Sequence, residues 1–285
     1  MIYHQLTIQV SDRIRNALIG RLMALGSLGV VEQDGSVIAY FPGTQPLQGI
    51  TRELDIMQSL IDRSGDGPSF TVQHDILQDA DWNESWKKAF KPVDVGTRFT
   101  ILPPWEQLVG DRIPLVIEPG MAFGTGHHQT TRSCLVLMEK FSASVKNERF
   151  LDVGTGTGLL AIAARILGFK KVVGVDTDPL AMEASRMNIG LNRSQGIELL
   201  EGDIACAEGT YDMITANLIL GTLVGIAGEI AARLDPSGVV IMSGILKGQD
   251  DEVTVSSAKA GLCCVERLQD GKWVTLAYRH CFSGV

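Results

Sequence analysis

From Phe150 to Pro179 the chain reads as an apolar strand, an LDVGTGTG turn, an apolar helix and a second strand, KVVGVD, that ends at Asp176. No other segment constrains the fold as strongly, because a strand, glycine turn, helix and parallel strand build an open sheet with helices on both faces. Gly154, Gly156 and Gly158 carry no Cβ, so a small molecule can lie directly against the backbone of the turn. Asp176, twenty-two positions after Gly154, falls at the end of the neighbouring strand, where a carboxylate can accept hydrogen bonds from both hydroxyls of a ribose. The pair points to a nucleoside-bearing ligand; the alternative is an ordinary tight strand-to-helix turn followed by a surface acid.

Spacing selects among nucleosides. Dinucleotide sites favour G-x-G-x-x-G, whose third glycine seats the helix beside a pyrophosphate. Here Leu159 stands at that third place, and Asp152 lies two residues before the first glycine. A carboxylate there would repel a pyrophosphate and suits a ligand carrying an ammonium and a sulfonium, the charges of S-adenosylmethionine.

A length of 285 residues with 45% hydrophobic content fits one large or two modest domains with a sizeable core. No basic stretch precedes an apolar one at the N-terminus, and the apolar run from Met213 to Leu234 is interrupted by Asn217, glycines and Glu229. The expectation is a cytoplasmic protein with no membrane partner. A net charge of -8 argues against nucleic acid as the main partner and favours a basic protein or amine substrate. Cys134, Cys206, Cys263, Cys264 and Cys281 form no C-x-x-C pair, and the adjacent Cys263 and Cys264 would alternate faces of a strand. Neither a disulfide framework nor a zinc site is indicated.

Positions 1–77 follow the order β-α-β-β-α-β, with Ser11 before the first helix and a hairpin turn at Asp34-Gly35, which predicts a small ferredoxin-like α+β domain. Positions 78–95 read as a helical linker in which Trp82 and Trp86, four apart, either pin the linker to a domain or touch substrate. Positions 96–285 carry the remaining strands. TRFTILPPW and IPLVIEP come first; RFLDV, KVVGVD, GIELLEG, YDMITAN and GVVIMSG alternate with helices; CCVERLQ and KWVTLAYR form a hairpin turning at Asp270-Gly271. This predicts an α/β, Rossmann-like, doubly wound sheet with a closing antiparallel hairpin, a form that suits a methyltransferase better than a dehydrogenase.

Two more pieces complete the candidate site. EPGMAFGTGHHQTT, from Glu118 to Thr131, reads as a lid or wall, with Phe123 and Gly124 against the ligand and Thr130 and Thr131 either binding its carboxylate or capping the next helix. Adjacent His127 and His128 point apart and find no third ligand nearby, so His128 is expected to hold the loop, not a metal. Asn217, ending YDMITAN, stands at the carboxyl edge of the sheet, where its amide oxygen can accept from an incoming amine or else cap the following helix. Asp203 follows another strand and could meet the adenine amino group.

With EPGMAFGTGHHQTT, LDVGTGTG, VVGVDTDP, TANLILGTL, the SGIL segment at Ser243 and the W-x-x-x-W-K run at Trp82, the chain resembles PrmA, the bacterial methyltransferase family that modifies large-subunit ribosomal protein eleven. The resemblance covers essentially the whole length. It implies a class I S-adenosylmethionine fold, an N-terminal substrate-recognition domain, and trimethylation of lysine ε-amines and the N-terminal α-amine of the ribosomal protein. Thr131, Gly154, Asp176 and Asn217 would contact the cofactor, joined on physical grounds by Phe123, Gly124, Asp152 and Gly156. The chain departs from the family where Gln129 replaces a proline and where Leu220-Gly-Thr-Leu replaces A-G-P-L. Two other classes stay open on the residues alone: a nicotinamide oxidoreductase, disfavoured by Leu159 and Asp152, and a non-catalytic ribosome-assembly factor that retains a cofactor pocket.

Overall fold

The computed structural model describes residues 2–33, 35–64, 70–78, 90–120, 122 and 124–281. The linker tryptophans Trp82 and Trp86, the lid residue Phe123 and the turn residue Asp34 lie outside the described residues. Contacts divide the chain into two compact units, 1–90 and 91–285.

In the first unit, strands β1 (Ile2–Gln9), β2 (Gly29–Gln33), β3 (Ser36–Pro42) and β4 (Thr71–Gln78) form one antiparallel sheet in the order β2-β3-β1-β4, with helices α1 (Asp12–Ala24) and α2 (Leu47–Ser64) in the crossovers. This is the ferredoxin-like order. Its core is one-sided: Leu6 and Ile8 of β1 alternate inward to meet Leu18, Leu22, Ile50 and Leu54 of the helices. Ser11 occupies the N-cap position of α1, but its side chain makes no capping bond.

The second unit opens with a three-stranded sheet, β5 (Val93–Val95), β6 (Phe99–Leu102) and β7 (Ile113–Val116), separate from the main one. The last residues of the segment read as a linker are thus strand. Helix α3 (Gln129–Ser142) leads into β8 (Arg149–Val153), α4 (Leu159–Ile166), β9 (Lys171–Asp176), α5 (Pro179–Leu191) and β10 (Ile197–Glu201). After a short 3-10 turn at Ile204–Cys206 come β11 (Tyr211–Asn217), α6 (Leu220–Arg233), β12 (Leu234–Leu246), α7 (Asp250–Lys259), β13 (Leu262–Asp270) and β14 (Trp273–His280).

The seven main-sheet strands run in the order β10-β9-β8-β11-β12-β14-β13. Five are parallel, and β14 and β13 close the edge antiparallel. Both faces are covered, so consecutive strand residues bury into opposite cores: Phe150, Met213 and Ile241 pack with α3 and α4, while Leu151, Ile214 and Val240 pack on the other side against residues of α6. Strand order reverses between β8 and β11, and ligands of open α/β sheets bind in the crevice at such a switch point.

One sequence expectation is corrected. Cys263 and Cys281 form a disulfide, with Cα atoms 5.0 Å apart. Eighteen residues separate them in sequence, but the β13–β14 hairpin pairs Leu262 with His280 and so brings its two ends side by side. Spacing arithmetic misses a pairing that only strand register creates.

Candidate active site

Each piece of the site sits where a parallel strand stops. The glycine turn leaves β8 with Gly154 at φ +71°, and the Gly154 and Thr155 amides donate to the Val175 carbonyl at 2.9 and 3.0 Å, tying the turn to β9. A Cβ at Gly154 would run into Leu218 Cδ2, so glycine is required both for the backbone conformation and for the close approach. Asp176, ending β9, accepts from Gly156 N at 2.9 Å through Oδ2 and from Asp178 N at 3.0 Å through Oδ1. A carboxylate has about four acceptor positions, so each oxygen keeps capacity for a further donor.

Gly154, Gly156, Asp176, Asp203 and Asn217 line a single cavity of about 470 Å³, within the roughly 300–1,000 Å³ usual for small-molecule sites. Gly124 and Thr131 line a smaller cavity of about 20 Å³ that shares Gly154 and Asn217 with the first. Asp203 also accepts from Ala205 N at 2.9 Å, capping the 3-10 turn. Asp152 lines neither cavity. It is 1% exposed beneath the turn, where Thr215 Oγ1 and Thr155 Oγ1 donate to its two oxygens at 2.6 and 2.8 Å. Burial raises its pKa to about 6 against the threonine hydrogen bonds that lower it, which leaves it ionised at neutral pH.

Asn217 does not cap α6; the N-cap position belongs to Ile219. Its Nδ2 donates to Thr131 Oγ1 at 3.3 Å, and its Oδ1 is buried with no hydrogen-bond partner among the described residues. An orphaned buried carbonyl costs stability that the fold must offset elsewhere, and one at a cavity wall is a docking point for a donor. His128, and not a threonine, caps α3: its Nδ1 accepts from Thr130 N at 3.3 Å and contacts Thr130 Oγ1 at 2.7 Å. His127 Nε2 instead lies 3.2 Å from the Lys91 carbonyl.

Residues 3–280 match the family of ribosomal protein L11 methyltransferases, PrmA. The chain belongs to this family. It is 38% identical over 257 residues to the ribosomal protein L11 methyltransferase of Clostridium botulinum strain Alaska E43, covering 86% of this chain and 80% of that one. The corresponding figures for the Geobacter sulfurreducens protein of that name are 35% over 259 residues, 88% and 84%. The solved ribosomal protein L11 methylase of Lactobacillus delbrueckii subsp. bulgaricus is similar with a TM-score of 0.62 at 31% identity, covering 67% of this chain and 99% of that one. The protein is therefore an S-adenosylmethionine-dependent methyltransferase with the class I α/β fold.

Two features of this methyltransferase escaped the sequence reading. Trp273 lines the main cavity and meets His128 edge-on, ring centroids 4.8 Å apart and planes at 69°. It reaches the carboxyl edge because β14 runs antiparallel beside β12, pairing Trp273 with Leu246 at the strand's start. Gly244, in the SGIL segment, also lines the cavity at φ +89°, and a Cβ there would overlap the Leu218 carbonyl. Replacing Gly244 by alanine should destabilise the protein by about 2–4 kcal/mol through left-handed strain and overpacking, read as a lowered unfolding midpoint in denaturant. A midpoint equal to wild type would show that Leu218 moves freely.

Burial lowers the His128 pKa to about 4, with Lys272 and Arg132 adding to the effect and Asp270 opposing it. The imidazole in the cavity wall is thus neutral at neutral pH. A histidine depressed on folding contributes stability that is fully present above its unfolded value of 6.5 and is lost as pH falls towards 4. Asp152, raised from 3.8 to about 6, acts with the opposite sign: the cost of burying its charge is relieved as pH falls over that interval. Imidazole C–H resonances of His128 should titrate with a midpoint near 4; a midpoint near 6.5 would mean a solvated ring.

Proposed function

We propose that the enzyme is a cytoplasmic protein N-methyltransferase that transfers methyl groups from S-adenosylmethionine to lysine ε-amines and the N-terminal α-amine of ribosomal protein L11. The relatives that support this reading carry that substrate in their names. Among the described residues, no helix is long and apolar enough to cross a membrane. The observation that carries the chemistry is that Asn217, a lining residue of both cavities at the carboxyl edge, holds a buried Oδ1 with no hydrogen-bond partner among the described residues.

The residues fit the cofactor. Asp176 retains acceptor capacity for two ribose hydroxyls, Gly154 brings bare backbone to the cavity wall, and Asp203 in the same lining would meet the adenine amino group. Thr131 and Gly124, which line the smaller cavity, would hold the methionine part. When bound, the cofactor supplies an electrophilic methyl on a sulfonium.

A lysine amine has a reference pKa of about 10.4 and must lose a proton before its lone pair can attack. The apolar wall of Leu218, Ile219 and Trp273 removes water from the entering amine and so disfavours its charged form. Asn217 Oδ1 then accepts one N–H of the neutral amine, aims its lone pair, and stabilises the positive charge that develops on nitrogen. Thr131 holds the amide in that orientation. Positioning and electrostatics carry the reaction, with no covalent enzyme intermediate.

L11 with every amine acetylated should accept no methyl while untreated L11 does, measured by transfer of labelled methyl. Equal labelling of the two would overturn amine methylation.

A further inference from the structure

Helix α5 follows directly on the strand that ends at Asp176, and it presents Ser185, Asn188 and, at its C-cap, Asn192 on one face, three and four positions apart. Ser185 and Asn188 are fully buried. Ser185 Oγ donates to the Gly156 carbonyl at 2.7 Å. Asn188 Nδ2 donates to the Thr157 carbonyl at 2.9 Å, while its Oδ1 accepts from Glu118 N at 2.9 Å. Asn192 Oδ1 accepts from Val116 N at 2.9 Å, and its Nδ2 donates to the Val116 carbonyl at 2.6 Å. Val116, the last residue of β7, is therefore paired to the Asn192 side chain, and Glu118, two residues beyond the strand, to that of Asn188.

The two asparagines differ in one respect. Asn192 holds Val116 at the end of β7 and, through a 2.8 Å bond from its Nδ2 to the Asn188 carbonyl, its own helix, whereas the Asn188 side chain joins the loop entry at Glu118 to the glycine turn at Thr157. A second tie runs the same way, since Thr157 Oγ1 donates to the Gly124 carbonyl at 2.7 Å. Turn and loop are thus tied twice, by the buried Asn188 carboxamide and by the Thr157 hydroxyl, and both supply walls to the cavities beside Gly154.

We infer that Asn188 is a positioning residue of the methyl-transfer site: without touching the cofactor, it fixes the glycine turn at Thr157 against the backbone at Glu118, and so governs how tightly S-adenosylmethionine is held. The inference rests on the cofactor lying in the cavity beside Gly154. A fully buried amide is stable only with both ends satisfied, so its removal strands the Thr157 carbonyl and the Glu118 amide together.

Asn192 supplies the control. Asn188→Ala and Asn192→Ala should both lower the unfolding temperature, because each frees a backbone group. Only Asn188→Ala should weaken S-adenosylmethionine, raising its dissociation constant roughly tenfold by calorimetry. In ligand-free protein it should also speed hydrogen exchange at Gly156 to Gly158 and at Gly124 to Gly126 together. Asn188→Ser, which keeps a polar group and admits a water, carries the same measurements if the alanine variant does not fold, and should show a smaller increase. Equal effects of the Asn188 and Asn192 variants on affinity and exchange would reduce Asn188 to a packing role and overturn the inference. Failure of the wild-type protein to bind S-adenosylmethionine would instead sink the cofactor assignment, and the exchange comparison in ligand-free protein would still decide whether Asn188 couples turn to loop.

Discussion

Replacing Asn217 by alanine is expected to lower kcat for methyl transfer roughly 100-fold while changing KM for the protein substrate only a few-fold. Asn217 Oδ1 is buried without a hydrogen-bond partner among the described residues. Its Nδ2 is committed to Thr131 Oγ1, and the residue belongs to the wall that the two cavities share. An acceptor in that place bonds the neutral amine modestly and the increasingly positive nitrogen of the transition state much more strongly. A contact that strengthens along the reaction appears in kcat, not in KM. Since removal also relieves an unsatisfied buried carbonyl, folding stability should hold or rise slightly. Steady-state kinetics on L11 checks this, and a variant that turns over within threefold of wild type would remove Asn217 from the catalytic assignment.

Asp176→Ala is expected to raise the dissociation constant for S-adenosylmethionine roughly 100-fold, two hydrogen bonds to a charged group being worth about 1.5–3 kcal/mol each before partial compensation by water. Part of that loss is indirect. Asp176 Oδ2 also anchors Gly156 N, so the variant loosens the glycine turn as well as the ribose contacts. Asp176→Asn separates the two roles: the amide keeps one acceptor and forfeits the charge, and its affinity should fall between those of wild type and the alanine variant. Calorimetric titration reads all three. Unchanged affinity in the alanine variant would place the ribose elsewhere.

How much of this was legible before the structure depended on whether a residue's place is set locally. Gly154, Asp176, Asp203 and Asn217 end parallel strands, and the parallel α/β pattern sends every strand end to one edge; local sequence was enough to bring them together. Trp273, Gly244 and Asn188 depend on neighbours chosen by tertiary packing: an antiparallel insertion of β14, a close approach to Leu218, a helix face laid against the backbone at Glu118. No periodicity in one strand or helix announces them. The Cys263–Cys281 disulfide was invisible for the same reason, being a consequence of hairpin register. Asp152 was legible as part of the turn but not as a buried acceptor of two threonine hydroxyls, because Thr215 comes from a strand sixty-three positions away that pairs directly with β8.

The central claim is that this fold holds S-adenosylmethionine so that amines of L11 reach Asn217. Incubating the purified protein with S-adenosylmethionine and recombinant L11, then recording the intact mass of L11, tests it most directly. The account predicts several methyl-sized increments that require the cofactor and are nearly absent with the Asn217→Ala variant. An unchanged L11 mass in the presence of demonstrated cofactor binding would contradict the substrate assignment, and full increments with the variant would contradict the assigned role of Asn217.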